Sequence, residues 1–135
     1  MKVLRFLMLF SLIFYLMGIA LVFAQNIPEG YAKNFPMYPN ANITNSSESK
    51  DLQIFAMDLE ASDDINKVDS WYKSELPTMG WEIGRRDVEN STITYLIANQ
   101  EKEARASVSI GASENVTVIR ITFGKRGSWQ ALQLQ

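Results

Sequence analysis

The alternation of apolar and polar side chains predicts one amphipathic helix in the middle of the chain. Apolar residues recur there at intervals of three and four, which places them along one stripe of a helix. The stripe consists of Ile65, Val68, Trp71, Tyr72, Leu76 and Met79. The positions expected to face water are Asn66, Lys67, Asp69, Lys73 and Glu75. One side of this helix is therefore suited to a core and the other to solvent.

The two ends of the helix are marked by residues with known terminal preferences. Ser62 can cap the first turn, where Asp63 and Asp64 place negative charge that the helix dipole favours. We expect the helix to begin at about Asp63. Pro77 predicts that regular helix ends one or two residues before it, and Gly80 then supplies a flexible stop.

After the helix the apolar residues alternate with polar ones, which predicts strands. Four are expected, over 81–88, 92–99, 104–111 and 116–123. The links between them are short, so they should form an antiparallel meander. The side facing the helix is expected to contain Ile93, Tyr95, Ile97, Ala104, Ala106, Val108, Ile110, Thr117, Ile119, Ile121 and Phe123.

Before the helix, the spacing of apolar and polar residues is less regular. Residues 25–39 contain three prolines and are expected to run extended along the surface. A short strand over 41–44 and a polar turn over 45–50 should follow. The next strand, over 52–59, is apolar on both faces, which indicates a central strand or one covered on both sides.

Together these elements predict an α+β fold in which one helix packs on a curved antiparallel sheet of about five to six strands. The domain is expected to span residues 40–123, after an extended lead over 25–39. Residues 124–135 should form a loosely held tail.

The first 24 residues have the layout of a signal peptide. Lys2 and Arg5 precede an uncharged run over 6–24, which ends in Val22-Phe23-Ala24. We expect cleavage after Ala24. Nineteen uncharged residues would form a helix of roughly 28 Å, so an uncleaved membrane anchor is the alternative. Either reading places the globular part outside the cytoplasm.

Composition excludes several classes of chemistry. The chain contains no cysteine and no histidine, which removes disulfides, thiol catalysis and every nucleophile that relies on a histidine base. No cofactor or metal is predicted. The part after the leader contains eleven basic and fifteen acidic residues, so its charge argues against a nucleic acid partner.

Two charged groups are candidate sites. Asp58, Glu60, Asp63 and Asp64 gather before the helix and could offer oxygens to Ca²⁺, but their spacing matches no calcium loop. We interpret them as helix-terminal or solvated side chains. A second group could bind an anion, although we favour solvated or ion-paired roles for its members, Arg85, Arg86 and Arg120.

The aromatic residues are more typical of packing than of a sugar or lipid pocket. This applies to Trp71, Tyr72, Trp81, Tyr95 and Phe123. Trp129 lies in the predicted tail and is the best candidate for contact with a partner. Four glycosylation triplets begin at Asn42, Asn45, Asn90 and Asn115, and they are candidates in a host that glycosylates secreted proteins.

Three short motifs resemble a family of small exported or lipid-anchored prokaryotic domains of uncharacterised function. The motifs are Tyr38-Pro39-Asn40-Ala41, Trp71-Tyr72 and Gly80-Trp81. The resemblance covers residues 38–123 and implies the same α+β fold and a location in the cell envelope. It implies no catalytic or ligand-binding residue. This chain lacks the cysteine that the lipid-anchored members carry.

The sequence favours a non-catalytic binding or interaction module of the cell envelope over an enzyme. Its partner would be another envelope or extracellular protein, or a glycan, and it would contact a membrane only through an uncleaved leader. One alternative is a glycan hydrolase that uses Asp58, Glu60 or Asp64 as acid and base, which requires two carboxyls roughly 5–10 Å apart in a cleft. Another is a purely structural component of a surface assembly.

Overall fold

The described part of the chain, residues 35–125 of the computed structural model, packs one helix against an open six-stranded antiparallel sheet. The elements are β1 (Asn42–Ser49), β2 (Ile54–Ala61), α1 (Ile65–Thr78), β3 (Glu82–Glu89), β4 (Thr92–Asn99), β5 (Ala104–Ser113) and β6 (Val116–Lys125). This confirms the predicted α+β class. The leader over 1–24, the lead over 25–34 and residues 126–135 lie outside the described residues.

The strands follow the order β1-β2-β6-β5-β4-β3 across the sheet. Strands β3 to β6 form the predicted meander, and β6 then returns to pair with β2. All neighbouring pairs are antiparallel. Strand β2 lies between β1 and β6, so its prediction as a central strand is confirmed.

Strand β1 is longer than predicted, and the expected turn over 45–50 is wrong. Residues 45–49 stay in the strand and pair with β2 after a bulge between Ile43 and Asn45. As an edge strand with mostly exposed side chains, β1 lacks the apolar alternation that marks a strand in a sequence. The chain turns instead over 50–53, where Leu52 is exposed and lies outside β2.

Both predicted ends of the helix need correction. The N-cap is Asp64 instead of Ser62, because the Asp64 carboxylate accepts hydrogen bonds from the backbone N–H groups of Asn66 and Lys67 at 2.9 and 3.1 Å. The helix also continues through Pro77 to Thr78. Pro77 has no N–H to donate to the preceding turn. The end of the helix is held instead by the Met79 N–H, which donates to the Glu75 and Leu76 carbonyls, and by the Trp81 N–H, which donates to the Leu76 carbonyl.

The predicted core is confirmed on both the helix and the sheet. Val68, Tyr72 and Leu76 are buried, and the other members of the stripe are half-buried. All eleven residues expected on the inward side of strands β4, β5 and β6 are buried as well. The helix lies against β3 and β5, so it covers one half of this face.

Residues just before β1 also belong to the core. Phe35 and Tyr38 belong to the core, which corrects the prediction of a surface course for the end of the lead. The Phe35 ring lies 5.4 Å from that of Trp81, and the Tyr38 ring lies 5.2 Å from that of Trp71. At the other end of the domain, Gly124 and Lys125 continue β6 instead of starting the tail.

Candidate ligand-binding site

A half-open cavity of about 520 Å³ lies at one end of the sheet, on the same face as the helix. Three segments surround it: the β1–β2 turn, the β4–β5 turn and the last residue of β6. Because β6 lies between β2 and β5, the fold brings together residues that are far apart in the sequence. The volume falls within the range typical of small-molecule sites.

The floor of the cavity is apolar and continuous with the core. Phe55 and Phe123 are register partners on β2 and β6, and their ring centroids are 5.8 Å apart. Ala104 extends this floor on the β5 side. The Phe123 ring also meets Trp81 edge-on at 5.7 Å, so the packed core holds the floor in place.

The rim of the cavity is basic. Lys50, Lys102 and Lys125 line it and are exposed, together with a single acidic residue, Glu48. Within residues 35–125 none of these three lysines has a carboxylate within ion-pair distance. The basic residues that do form ion pairs lie elsewhere: Lys67, Arg85, Arg86 and Arg120.

The four acidic residues before the helix do not form a common site. Asp58 pairs with Arg120 at 2.9 Å, and Glu60 follows on the same strand face. Asp63 accepts hydrogen bonds from Tyr38 and Lys67, whereas Asp64 caps the helix. Among residues 35–125, no three acidic side chains lie close enough to hold a metal ion.

The three candidate arginines form separate ion pairs, which confirms the interpretation that we favoured. Arg85 contacts Asp87 at 2.6 Å on the same strand. Arg120 contacts Asp58 on the face of the sheet away from the helix. Arg86 reaches the helix and contacts Asp69 at 2.8 Å. They therefore do not converge on one anion.

Asp69 was expected to face water, but it is half-buried and forms a cluster with Tyr95 and Arg86. The Tyr95 hydroxyl and the Arg86 guanidinium both donate hydrogen bonds to the Asp69 carboxylate. The guanidinium also lies 5.7 Å from the centre of the Tyr95 ring. This cluster joins the helix to strands β3 and β4.

The cluster stabilises the negative charge of the Asp69 carboxylate. Burial alone would raise the pKa of Asp69, but hydrogen bonds from Arg86 and Tyr95 outweigh it and hold the pKa below its ordinary value. Burial, with the hydrogen bond to Asp69, raises the pKa of Tyr95 to about 12. The cluster therefore contains a neutral phenol and an ionised carboxylate at neutral pH.

One sequence signal could have located this cluster. The two-residue turn Asn90-Ser91, with both φ angles positive, sets the register of the β3–β4 hairpin. That register places Arg86 directly opposite Tyr95. The helix residue that completes the cluster could not be found in this way, because its position depends on how α1 lies across the sheet.

The four candidate glycosylation residues are all exposed. Asn42 begins β1 opposite Glu60, while Asn90 and Asn115 lie in the β3–β4 and β5–β6 turns. These three lie at the end of the sheet where the helix begins, opposite the cavity. Asn45 lies within the exposed edge strand β1. Trp129, the predicted partner contact, lies outside the described residues.

The aromatic residues that we expected to pack in the core do so. Tyr72, Trp81 and Tyr95 are buried and Trp71 is half-buried. Phe123 is also in the core, but one side of it lines the cavity. Phe55 was not expected as a cavity residue, because its pairing with Phe123 depends on the β2–β6 register.

No protein-family model matches the sequence, and no curated protein matches it. The resemblance to small exported prokaryotic domains therefore stays a prediction. Two of its three motifs meet in the structure: the Trp71 ring lies 4.9 Å from that of Tyr72 and 5.2 Å from that of Tyr38. Within residues 35–125, no helix has the length and apolar character needed to cross a membrane.

Proposed function

We propose that the protein is a non-catalytic binding module of the cell envelope, working outside the cytoplasm, which holds a small ligand in the cavity. One observation carries this proposal: the half-buried Phe55 ring, beside the buried Phe123, forms an apolar floor inside a rim of three lysines that have no ion pair within residues 35–125. An apolar pocket with a few polar groups around it is typical of ligand-binding sites.

The non-catalytic part of the proposal is supported by the roles of the carboxylates. The hydrolase alternative needs two free carboxyl groups in one cleft. Asp58 is held by Arg120, and Asp64 is held by the backbone at the start of the helix. Neither of them lines the cavity, and Glu60 does not line it either; the acidic side chain of the cavity is Glu48. The chain also has no histidine to act as a general base.

The extracytoplasmic part of the proposal rests on the leader over 1–24. Its two basic residues followed by nineteen uncharged ones are typical of a segment that directs export. The candidate glycosylation residues fit this location. Glycans on Asn42, Asn90 and Asn115 would cover the end of the sheet that is remote from the cavity and leave the site accessible.

The proposal can be tested by nuclear magnetic resonance. The isotope-labelled protein, expressed with its own leader and purified as the cell accumulates it, is mixed with the small-molecule fraction of host envelope extract. We expect shifts in backbone resonances at Phe55, Ala104 and Phe123. The double variant K50E/K102E should lose these shifts, whereas the control K73E, which changes an exposed lysine on the helix, should keep them.

Four results would contradict the proposal. Shifts confined to the opposite face of the sheet would mean that the cavity is not the site. The absence of any shift would favour a purely structural role. Conversion of the bound compound into a product would replace the non-catalytic module with an enzyme. Recovery of the protein from the cytosol with its leader intact would contradict the location.

A further inference from the structure

Building on the proposed function, we infer that the cavity binds a single-chain amphiphile with an anionic head group. The inference rests on two surfaces that lie side by side: an aromatic floor that would contact an aliphatic chain, and a basic rim that would contact the anionic head. It names the class of ligand and assigns a role to each surface.

The floor accounts for the aliphatic part of the ligand. Phe55 is half-buried, although it lies beside Phe123 and the apolar core continues behind both rings. Covering an exposed aromatic surface with an aliphatic chain removes apolar area from water on both partners. A small free anion such as phosphate would leave this surface uncovered.

The rim accounts for the sign of the head group. Lys50 and Lys102 come from turns on two sides of the cavity, and Lys125 lies at the end of β6 between them. These three positive charges face one negative charge, Glu48. The chain as a whole has a formal charge of −2, so this concentration of lysines runs against its average. A cationic head group would be repelled there.

The acidic neighbours of these lysines in the sequence lie outside the lining of the cavity. Asp51 follows Lys50, and Glu101 and Glu103 flank Lys102, but none of these three carboxylates lines the cavity. A lysine has a flexible aliphatic stem, so it can cover part of the apolar floor while its ammonium group meets an anionic head group. Both properties suit an amphiphile better than a neutral sugar.

The inference can be tested with four probes, each used below the concentration at which it aggregates. Dodecanoate has the chain and the negative head, dodecanol has only the chain, acetate has only the head, and dodecyltrimethylammonium reverses the charge. Binding to the purified full chain is measured by calorimetry, and the site is located from the backbone resonances of Phe55 and Phe123.

We expect dodecanoate to bind about tenfold more tightly than dodecanol, because each exposed lysine contributes a factor of about two to three. Acetate should not bind measurably, and dodecyltrimethylammonium should bind more weakly than dodecanol. The triple variant K50Q/K102Q/K125Q should bind dodecanoate and dodecanol equally. The control K73Q should behave like the native protein. Added salt should reduce the preference for dodecanoate.

Several outcomes would overturn the inference. Equal affinity for dodecanoate and dodecanol in the native protein would leave the lysines without a role. Tighter binding of the cationic probe would reverse the proposed chemistry. Binding of dodecanoate only after truncation behind Lys125 would make the chain's own C-terminal segment the occupant.

The proposed function and the inference can fail separately. If envelope extract shifts the cavity resonances but dodecanoate does not, the cavity binds another class of ligand and only the inference fails. If neither produces a shift, both fail. Melting curves of every variant, compared with that of the native chain, identify any loss of binding that is caused by unfolding.

Discussion

The hydroxyl group of Tyr95, on the interior strand β4, donates a hydrogen bond to the carboxylate of Asp69 on the helix. Arg86, on the neighbouring edge strand, donates to the same carboxylate at 2.8 Å. The three side chains come from three different elements, so their contacts hold the helix across the sheet. They are the main polar connection between α1 and the β3–β4 hairpin within the described residues.

We expect the loss of the Tyr95 hydroxyl in Y95F to destabilise the fold by about 2 kcal/mol, because hydrogen bonds to charged groups are stronger than neutral ones. D69N should cost a similar amount. The double variant should cost less than the sum of the two, since both remove the same contact. Chemical denaturation measured by circular dichroism gives the three free energies of unfolding.

The matched control for this cycle is D87N. Asp87 forms an ion pair of similar length with Arg85, but the side chains of this pair are more exposed, at 46% and 68%, than those of Asp69 and Arg86, at 14% and 36%. We expect a change within about 1 kcal/mol, because solvent screens exposed pairs. If D87N were as destabilising as D69N, or if Y95F and D69N were strictly additive, the cluster would not act as a unit.

The hydroxyl group of Tyr72 differs from that of Tyr95. Its hydroxyl is buried near the backbone of Tyr38, yet it forms no hydrogen bond of normal geometry within residues 35–125. An unsatisfied buried hydroxyl is costly, so Y72F should be neutral or should stabilise the protein by up to about 1 kcal/mol. Thermal melting of Y72F beside native protein measures this.

A second tyrosine provides the comparison for Y72F. The Tyr38 hydroxyl donates to Asp63 at 2.7 Å, so Y38F should be destabilising by about 1 kcal/mol. A clear loss of stability in Y72F would show that its hydroxyl has a partner after all.

Acid should destabilise the fold through Asp69 and Asp63. Hydrogen bonds from Arg86 and Tyr95 hold the pKa of Asp69 below its ordinary value against the effect of burial, and Lys67 and Tyr38 lower the pKa of Asp63. Both carboxylates therefore stabilise the fold above the unfolded pKa of about 4, and this contribution is lost as the pH falls through the lower folded values. Free energies of unfolding measured at a series of pH values should decline below about pH 4, and less steeply in D69N.

At alkaline pH, ionisation of Tyr38 and Tyr95 should also destabilise the fold. Burial raises the pKa of Tyr38 and of Tyr95 to about 12 in the folded protein. Their contribution is complete below the unfolded pKa of about 10 and is lost as the pH rises toward 12. Between about pH 4 and about pH 10 the free energy of unfolding should change little, because the chain has no histidine. A marked transition between pH 5 and 8 would contradict this account.

Gly80 and Gly84 give a matched pair of backbone variants. Gly80 has a φ of +84°, and a Cβ there would lie 3.3 Å from the side-chain nitrogen of the buried Asn99. We expect G80A to cost about 1–2 kcal/mol. In G84A the new Cβ would lie 3.5 Å from the Leu96 carbonyl oxygen, an ordinary contact, so the change should be within about 0.5 kcal/mol. Equal melting temperatures for the two variants would contradict this reasoning.

The structure also decides how the glycosylation prediction should be tested. Asn90 has a positive φ in a tight turn, so T92A removes its triplet without changing the turn residue. At Asn115 the reverse holds: the Thr117 hydroxyl is buried and donates to the Asp63 carbonyl at 2.7 Å, so N115Q is the better substitution. In a host that glycosylates secreted proteins, each variant should lose the mass of one glycan. An unchanged mass in both would contradict occupancy at these two residues.

The sequence predicted the helix and the four strands after it because burial imposes a regular spacing on their apolar residues. The spacing of Val68, Tyr72 and Leu76 and the alternation of Ala104, Ala106, Val108 and Ile110 both reflect one buried face. Strand β1 could not be predicted in the same way. Most of its side chains are exposed, and it becomes a strand through pairing with β2.

The sites show the same division. The pairing of Arg86 with Tyr95 follows from a two-residue turn, but Asp69 joins them only through the position of the helix on the sheet. The cavity was not predicted at all. Its floor depends on the β2–β6 register, and its lysines come from three segments that the strand order brings together.

By itself, the sequence determined the α+β class, the helix stripe, the meander and the inward faces of its strands, because local periodicity records which side of each element is buried. Only the tertiary structure decided which carboxylates are already engaged and where an apolar surface lies beneath lysines that form no ion pair within residues 35–125. Those features depend on contacts between residues that are distant in the chain, and the spacing of side chains within one element carries no record of them.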